Sequence, residues 1–173
     1  MESYLEALQV WVKGSSISYV MTQYQWAWPV SECLHFVGLC LLIGSVGIFD
    51  LRMIGFLKPI PLGALHRLIP WGILGYGINL VTGLSFLSGY PDQYVHNPAF
   101  QIKILFMMTA GLNVTVFYLT IYRKGTFAGA GERPPLGARV AGGVSLLCWI
   151  GVIICGRYLT FYRPPHFFWC PWC

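Results

Sequence analysis

The stretch Phe36-Val37-Gly38-Leu39-Cys40-Leu41-Leu42-Ile43-Gly44-Ser45-Val46-Gly47-Ile48-Phe49 carries no charged side chain and lies inside a longer apolar run near 31 to 57. A strand rarely runs so long, and an ordinary core helix would show a polar face. The full run exceeds the ~20 residues needed to cross a bilayer core. Outward from it, three further runs near 66 to 89, 99 to 123 and 138 to 162 have the same character. Of the 173 residues 56% are hydrophobic and only 10% charged, against roughly 25% charged in a soluble domain. The sequence therefore predicts an all-α, polytopic membrane protein, a four-transmembrane-helix bundle whose first solvent is lipid.

The links between the runs are rich in turn formers. Lys58-Pro59-Ile60-Pro61-Leu62 cannot continue a helical ladder. Gly89 to Pro98 places Pro98 at a first helical position, and Gly125 to Gly137 contains Gly129, Gly131, Pro134 and Pro135. These segments are hinges between spans. Organisation follows as an outer-face interfacial segment over 1–28, a transmembrane domain over 29–163 and a Cys-rich tail over 164–173.

Net charge is +5, but the basic residues sit between apolar runs and form no track for a phosphate backbone, so nucleic acid is excluded as a partner. Arg52, Lys58, Arg67, Arg123, Lys124, Arg133 and Arg139 fall on one side of the expected bundle, and Lys13, Lys103, Arg157 and Arg163 on the other. The positive-inside rule makes the first side cytoplasmic and sends both termini outward, to the periplasm if the bilayer is a bacterial inner membrane. No basic n-region or small-residue cleavage site precedes the first run, so no removable signal peptide is expected. Leu5, Leu8, Trp11 and Val12 instead share one face of an amphipathic helix suited to the outer leaflet. Tyr24, Trp26, Trp28, Phe167, Phe168, Trp169 and Trp172 would anchor the same interface.

Ionisable residues within such spans are the first place to look for chemistry. His35 lies early in the first span and His96 just before the third, both near the outer face. In an up-down bundle these helices are diagonal, and two neutral imidazoles converging across the core would ligate a b-type haem. Lys103 and Arg157 would neutralise its propionates. Glu32, three residues before His35, shares its helical face. With His96 and Asp92 it would make a mixed nitrogen and oxygen site suited to zinc or copper. On the opposite side, Asp50, Arg52, His66 and Arg67 predict a polar cluster, with Asp50 paired to Arg67 or His66 for anchoring or for proton handling at a quinone.

The six cysteines fall into three pairs. Cys33 with Cys40, and Cys148 with Cys155, lie on helical stripes at matching depths; small apolar packing is their expected role, and soft-metal binding would require the stripes to face each other. Cys170-Pro171-Trp172-Cys173, with His166 before it, has C-x-x-C spacing but no following helix to activate a thiol, which favours a disulfide or metal clip. Intramembrane glycines, among them Gly38, Gly72, Gly75, Gly83 and Gly142, predict close helix packing, an oligomer interface or a flat cofactor against a glycine face. No nucleotide-binding or hydrolase motif occurs, and no internal repeat suggests an inverted-repeat transporter.

Read together, Trp28-Pro29-Val30-Ser31-Glu32-Cys33-Leu34-His35-Phe36-Val37-Gly38, Phe49-Asp50-Leu51-Arg52-Met53-Ile54-Gly55, Arg67-Leu68-Ile69-Pro70, Thr82-Gly83 and Asn97-Pro98-Ala99-Phe100-Gln101-Ile102-Lys103 resemble a family of small bacterial membrane proteins. That family is itself distantly similar to copper-resistance D proteins and membrane b-type cytochromes. The resemblance covers most of 26 to 123 and implies a four-helix inner-membrane protein with Glu32, His35, Asp50, Arg52, Asn97 and Lys103 at motif positions. It supplies no activity. The expectation is a redox subunit binding one haem b through His35 and His96 and relaying electrons, alone as a homo-oligomer or within a larger membrane complex. The alternatives are copper or zinc handling through Glu32, His35, His96, His166, Cys170 and Cys173, and an accessory bundle with no chemistry of its own.

Overall fold

A computed structural model describes residues 2–124 and 129–162. Every extended element among them is helical: α1 (Glu2–Lys13), α2 (Ser16–Gln23), α3 (Ala27–Ile54), α4 (Leu62–His66), α5 (Ile69–Gly89), α6 (Pro91–Val95), α7 (Pro98–Thr120) and α8 (Leu136–Tyr158). Among the described residues four segments are long and apolar enough to cross a membrane: α3, α4 with α5, α7 and α8. At ~1.5 Å per residue α3 runs about 42 Å, and α7 and α8 about 35 Å, against a hydrocarbon core of ~30 Å.

Local chemistry sets where each helix starts and stops. The first span begins at Ala27 rather than near 31, because Pro29 occupies the first turn, where no N–H is required. It ends at Ile54 rather than near 57. Gly55 adopts φ +117°, its N–H reaches Leu51 and Arg52 carbonyls, and the Phe56 N–H returns to Leu51, so the glycine closes the helix before Pro59 is reached. Asn97 caps α7 through the Ala99 N–H at 3.0 Å, with Pro98 in the expected first position. The expected N-terminal helix is α1, and a second short helix follows it, α2, capped by Ser15 accepting from the Ser18 N–H.

Packing follows the small residues. The Cβ of an alanine at Gly75 would stand 2.5 Å from the Gly38 carbonyl oxygen and 2.6 Å from the Leu42 nitrogen, so α3 and α5 cross backbone to backbone. Gly142 likewise admits the Asp50 carbonyl and Met53 of α3 against α8, and Gly151 admits the Phe106 ring of α7. By contrast Gly44, Gly77 and Gly143 face open space. The result is a chain of contacts, α5 on α3, α3 on α8 and α8 on α7. The fourth edge of the bundle, between α5 and α7, is not closed by extensive packing.

One end of the bundle gathers the start of α3 and the end of α8, with α1, α2 and α6; we call it the terminal end. There Lys13 meets Asp92 at 2.6 Å, tying α1 to α6 in an exposed ion pair. Asn97, 1% exposed, donates to the Leu159 carbonyl and so joins the start of α7 to the end of α8. Trp28 packs on Phe86 and Tyr90, whereas Tyr24 and Trp26 are exposed. The opposite, basic end is held by Arg52, which is 0% exposed. Its guanidinium donates to the carbonyls of Ile60, Gly129 and Glu132, binding the first and third links together. Beside it Phe49, Met53, Leu62, Leu65, Phe117 and Ala138 form a buried apolar cluster.

Candidate functional site

His35 lies on the third turn of α3, half-buried, and its Nδ1 is 2.7 Å from the Thr82 hydroxyl on α5. A hydroxyl has one proton to give, and that of Thr82 is directed to the Ile78 carbonyl at 2.7 Å, the bond a threonine makes to the preceding turn. With that proton on Ile78, Thr82 accepts from His35, an assignment in which Nδ1 carries the ring proton and Nε2 keeps its lone pair. Phe86 flanks the ring with centroids 5.6 Å apart. A Cβ at Gly83 would come no closer than 4.0 Å to His35 Cε1, so the ring edge between the nitrogens borders a helix face without a side chain.

Lys103 of α7 lies within electrostatic reach of His35, across the diagonal of the bundle, and of Cys155 on α8. Its ammonium lies 4.0 Å from where a Cβ on Gly156 would be. The four spans therefore each contribute to one polar level near the terminal end: His35, Thr82, Lys103, and Cys155 with Gly156. One turn further in, Asn79 donates to the Gly75 carbonyl, while its buried Oδ1 has no hydrogen-bond partner.

The other residues expected at this site are distributed differently. His96 is half-buried at the end of α6, on the turn into α7. Glu32 is exposed, and the Asp92 carboxylate is engaged by Lys13. Among the described residues no three His, Cys, Asp or Glu side chains converge to hold a metal, so Glu32, His35, His96 and Asp92 do not form a ready ligand set. Arg157 is exposed, its guanidinium carbon 5.7 Å from the Phe161 ring centroid. His166, Cys170 and Cys173 lie outside the described residues. Cys33 and Cys40 are exposed whereas Cys148 and Cys155 are buried, so the two cysteine stripes do not face one another.

At the basic end the expected pairing of Asp50 with His66 or Arg67 gives way to other partners. His66 Nε2 meets the Tyr118 hydroxyl at 3.0 Å and its ring stacks on Tyr122 at 4.9 Å, inside an aromatic group that includes Phe49. Asp50, 2% exposed, interacts with the Ser145 hydroxyl of α8, and its Oδ2 has no hydrogen-bond partner. The reason is geometric: Asp50 leaves α3 toward α8, whereas the His66 ring lies among Phe49, Tyr118 and Tyr122. Thr82 was marked in the sequence only as part of a Thr-Gly pair, and Asn79 not at all. Neutral hydroxyls and amides inside an apolar run carry the one available signal, a polar group whose backbone bond to the preceding turn leaves a valence to spend.

No family model, curated protein or solved structure matches the chain.

Proposed function

We propose that the chain is a multi-pass protein of a bacterial inner membrane that holds one b-type haem near the periplasmic face and relays electrons through it. The observation that carries this reading is the 2.7 Å contact between His35 Nδ1 and the Thr82 hydroxyl, which orients the ring and leaves Nε2 for a ligand. A histidine ligand to iron needs a neutral ring whose other nitrogen donates to a second group, and the Thr82 hydroxyl, already committed to Ile78, is such a group. Lys103, within electrostatic reach of His35, supplies a cation for a propionate. The unclosed edge between α5 and α7 offers a lateral way in for a large apolar cofactor. His96 is the proposed second ligand. Under this reading the basic end is cytoplasmic, both termini are periplasmic, and α1 and α2 lie on the outer leaflet; quinone and a second copy of the chain are the proposed partners.

The test is a visible spectrum of protein purified in detergent from cells supplied with haem precursor, taken before and after dithionite, with iron, copper and zinc measured on the same sample. Sharp reduced bands with one iron per chain are expected, and His35→Ala should abolish them while the variant still elutes as a monodisperse species. A colourless wild-type protein without iron overturns the reading. In that case stoichiometric copper or zinc would mark a metal-handling protein.

A further inference from the structure

At the basic end, Ile54, Gly55, Lys58, Arg133, Pro134 and Arg139 line an open recess of about 230 Å³. Three cations thus line one small recess, contributed by the first link, the third link and the first turn of α8. The nearest carboxylate in sequence, that of Glu132, is turned onto the Gly129 N–H at 2.8 Å. Nothing among the lining residues balances the charge.

The recess is also held open by design of its walls. The Gly131 N–H donates to the Lys58 carbonyl at 2.8 Å, pinning the third link to the first. Arg139 Nε reaches the Ile54 carbonyl at 3.3 Å, anchoring that side chain to the end of α3 while leaving its terminal nitrogens to other partners. Behind these, the buried Arg52 clamps Ile60, Gly129 and Glu132. Bringing like charges together costs free energy unless an anion offsets them, and holding the backbone so firmly around them has the character of a binding site. Its level matters too. Ile54 and Gly55 end a helix long and apolar enough to cross a membrane, and a bilayer spanned by α3 would bring its phosphates to the level of the recess.

We infer that the Lys58, Arg133 and Arg139 recess binds a phosphate group, carried either by an anionic phospholipid headgroup or by a small soluble phosphate. Basic pockets between spans at this depth recognise such headgroups through charge-assisted hydrogen bonds. The inference is independent of the haem reading, because the two sites lie at opposite ends of the bundle.

The experiment uses the full chain, delipidated in neutral maltoside micelles, with thermal unfolding as the readout. Dioleoyl phosphatidylglycerol should raise the midpoint by several degrees and dioleoyl phosphatidylcholine should not. The double variant Lys58→Gln/Arg133→Gln should weaken the apparent affinity by about tenfold or more. Arg67→Gln/Arg123→Gln, which removes the same charge elsewhere on this end, should leave it unchanged. If Lys58→Gln/Arg133→Gln fails to fold, Arg133→Gln alone serves, since its side chain is exposed. Inorganic phosphate separates the sources: a rise with millimolar phosphate that the pocket variant abolishes identifies a soluble phosphate, and a rise with the lipid alone identifies a headgroup. No rise with either probe overturns the inference, as does an equal loss in both double variants, which would mean diffuse attraction to a basic surface.

Discussion

At the scale of single residues, the His35–Thr82 bond separates a positioned imidazole from one that merely packs. Thr82→Val keeps the shape of the side chain and removes the acceptor of the Nδ1 proton. If His35 ligates iron, the loss of this supporting bond should weaken haem retention by roughly 10–100-fold, the usual cost of losing such a partner. Haem titration of the apoprotein would measure it, and unchanged retention would remove Thr82 from the site. His35 itself was legible in the sequence, because an imidazole among apolar residues has few bland explanations. Its partner was less so: threonines within a span usually satisfy themselves on the preceding turn, as Thr109, Thr115 and Thr120 do here. Only the register of α5 against α3 distinguishes Thr82 from them. The packing of α3 on α8 likewise gives Asp50 to Ser145 rather than to His66, a choice that residue types alone left open.

Between elements, the α3–α5 crossing decides whether that register holds. Gly75→Ala would drive a methyl group against the Gly38 carbonyl and Leu42 nitrogen, both backbone atoms with little freedom to move. Overpacking of this kind costs about 1–3 kcal/mol. Gly77→Ala, two residues away and facing open space, should be neutral or slightly stabilising through its helix propensity. Comparing the two by thermal unfolding in one detergent tests whether the glycines are an interface or a composition habit of membrane helices. A Gly75→Ala protein as stable as wild type would argue that α3 and α5 meet elsewhere. The sequence exposed the spans themselves, since apolar length is a coarse signal that survives errors at the ends. It did not expose Gly55 as the end of α3, because a glycine near a proline reads equally as loop or cap until its φ is known. Nor did it expose α2, a short helix whose Ser15 cap and eight residues carry no strong amphipathic signal of their own.

For the whole molecule, the proposed orientation rests on the same charge asymmetry that builds the basic end. Translocating a segment that carries Lys58, Arg67, Arg133 and Arg139 works against the membrane potential, whereas the terminal end offers only scattered cations, of which Lys13 is already paired with Asp92. Two positions report on this without disturbing contacts: Gln25 is exposed at the terminal end, and Gly63 at the basic end has no atom near its Cβ position. In a background with all native cysteines replaced by alanine, Gln25→Cys should react with a membrane-impermeant maleimide in spheroplasts, and Gly63→Cys only after permeabilisation. The reverse order would invert the molecule and place the Lys58, Arg133 and Arg139 recess outside. Equal labelling of both before permeabilisation would mean that these four helices do not separate two compartments. The outcome also bears on electron transfer, because His35 and Lys103 lie toward the Gln25 end. If that end is periplasmic, an electron leaving the proposed haem reaches a periplasmic acceptor directly, whereas one bound for the cytoplasm must cross the span length separating His35 from the Arg52 clamp.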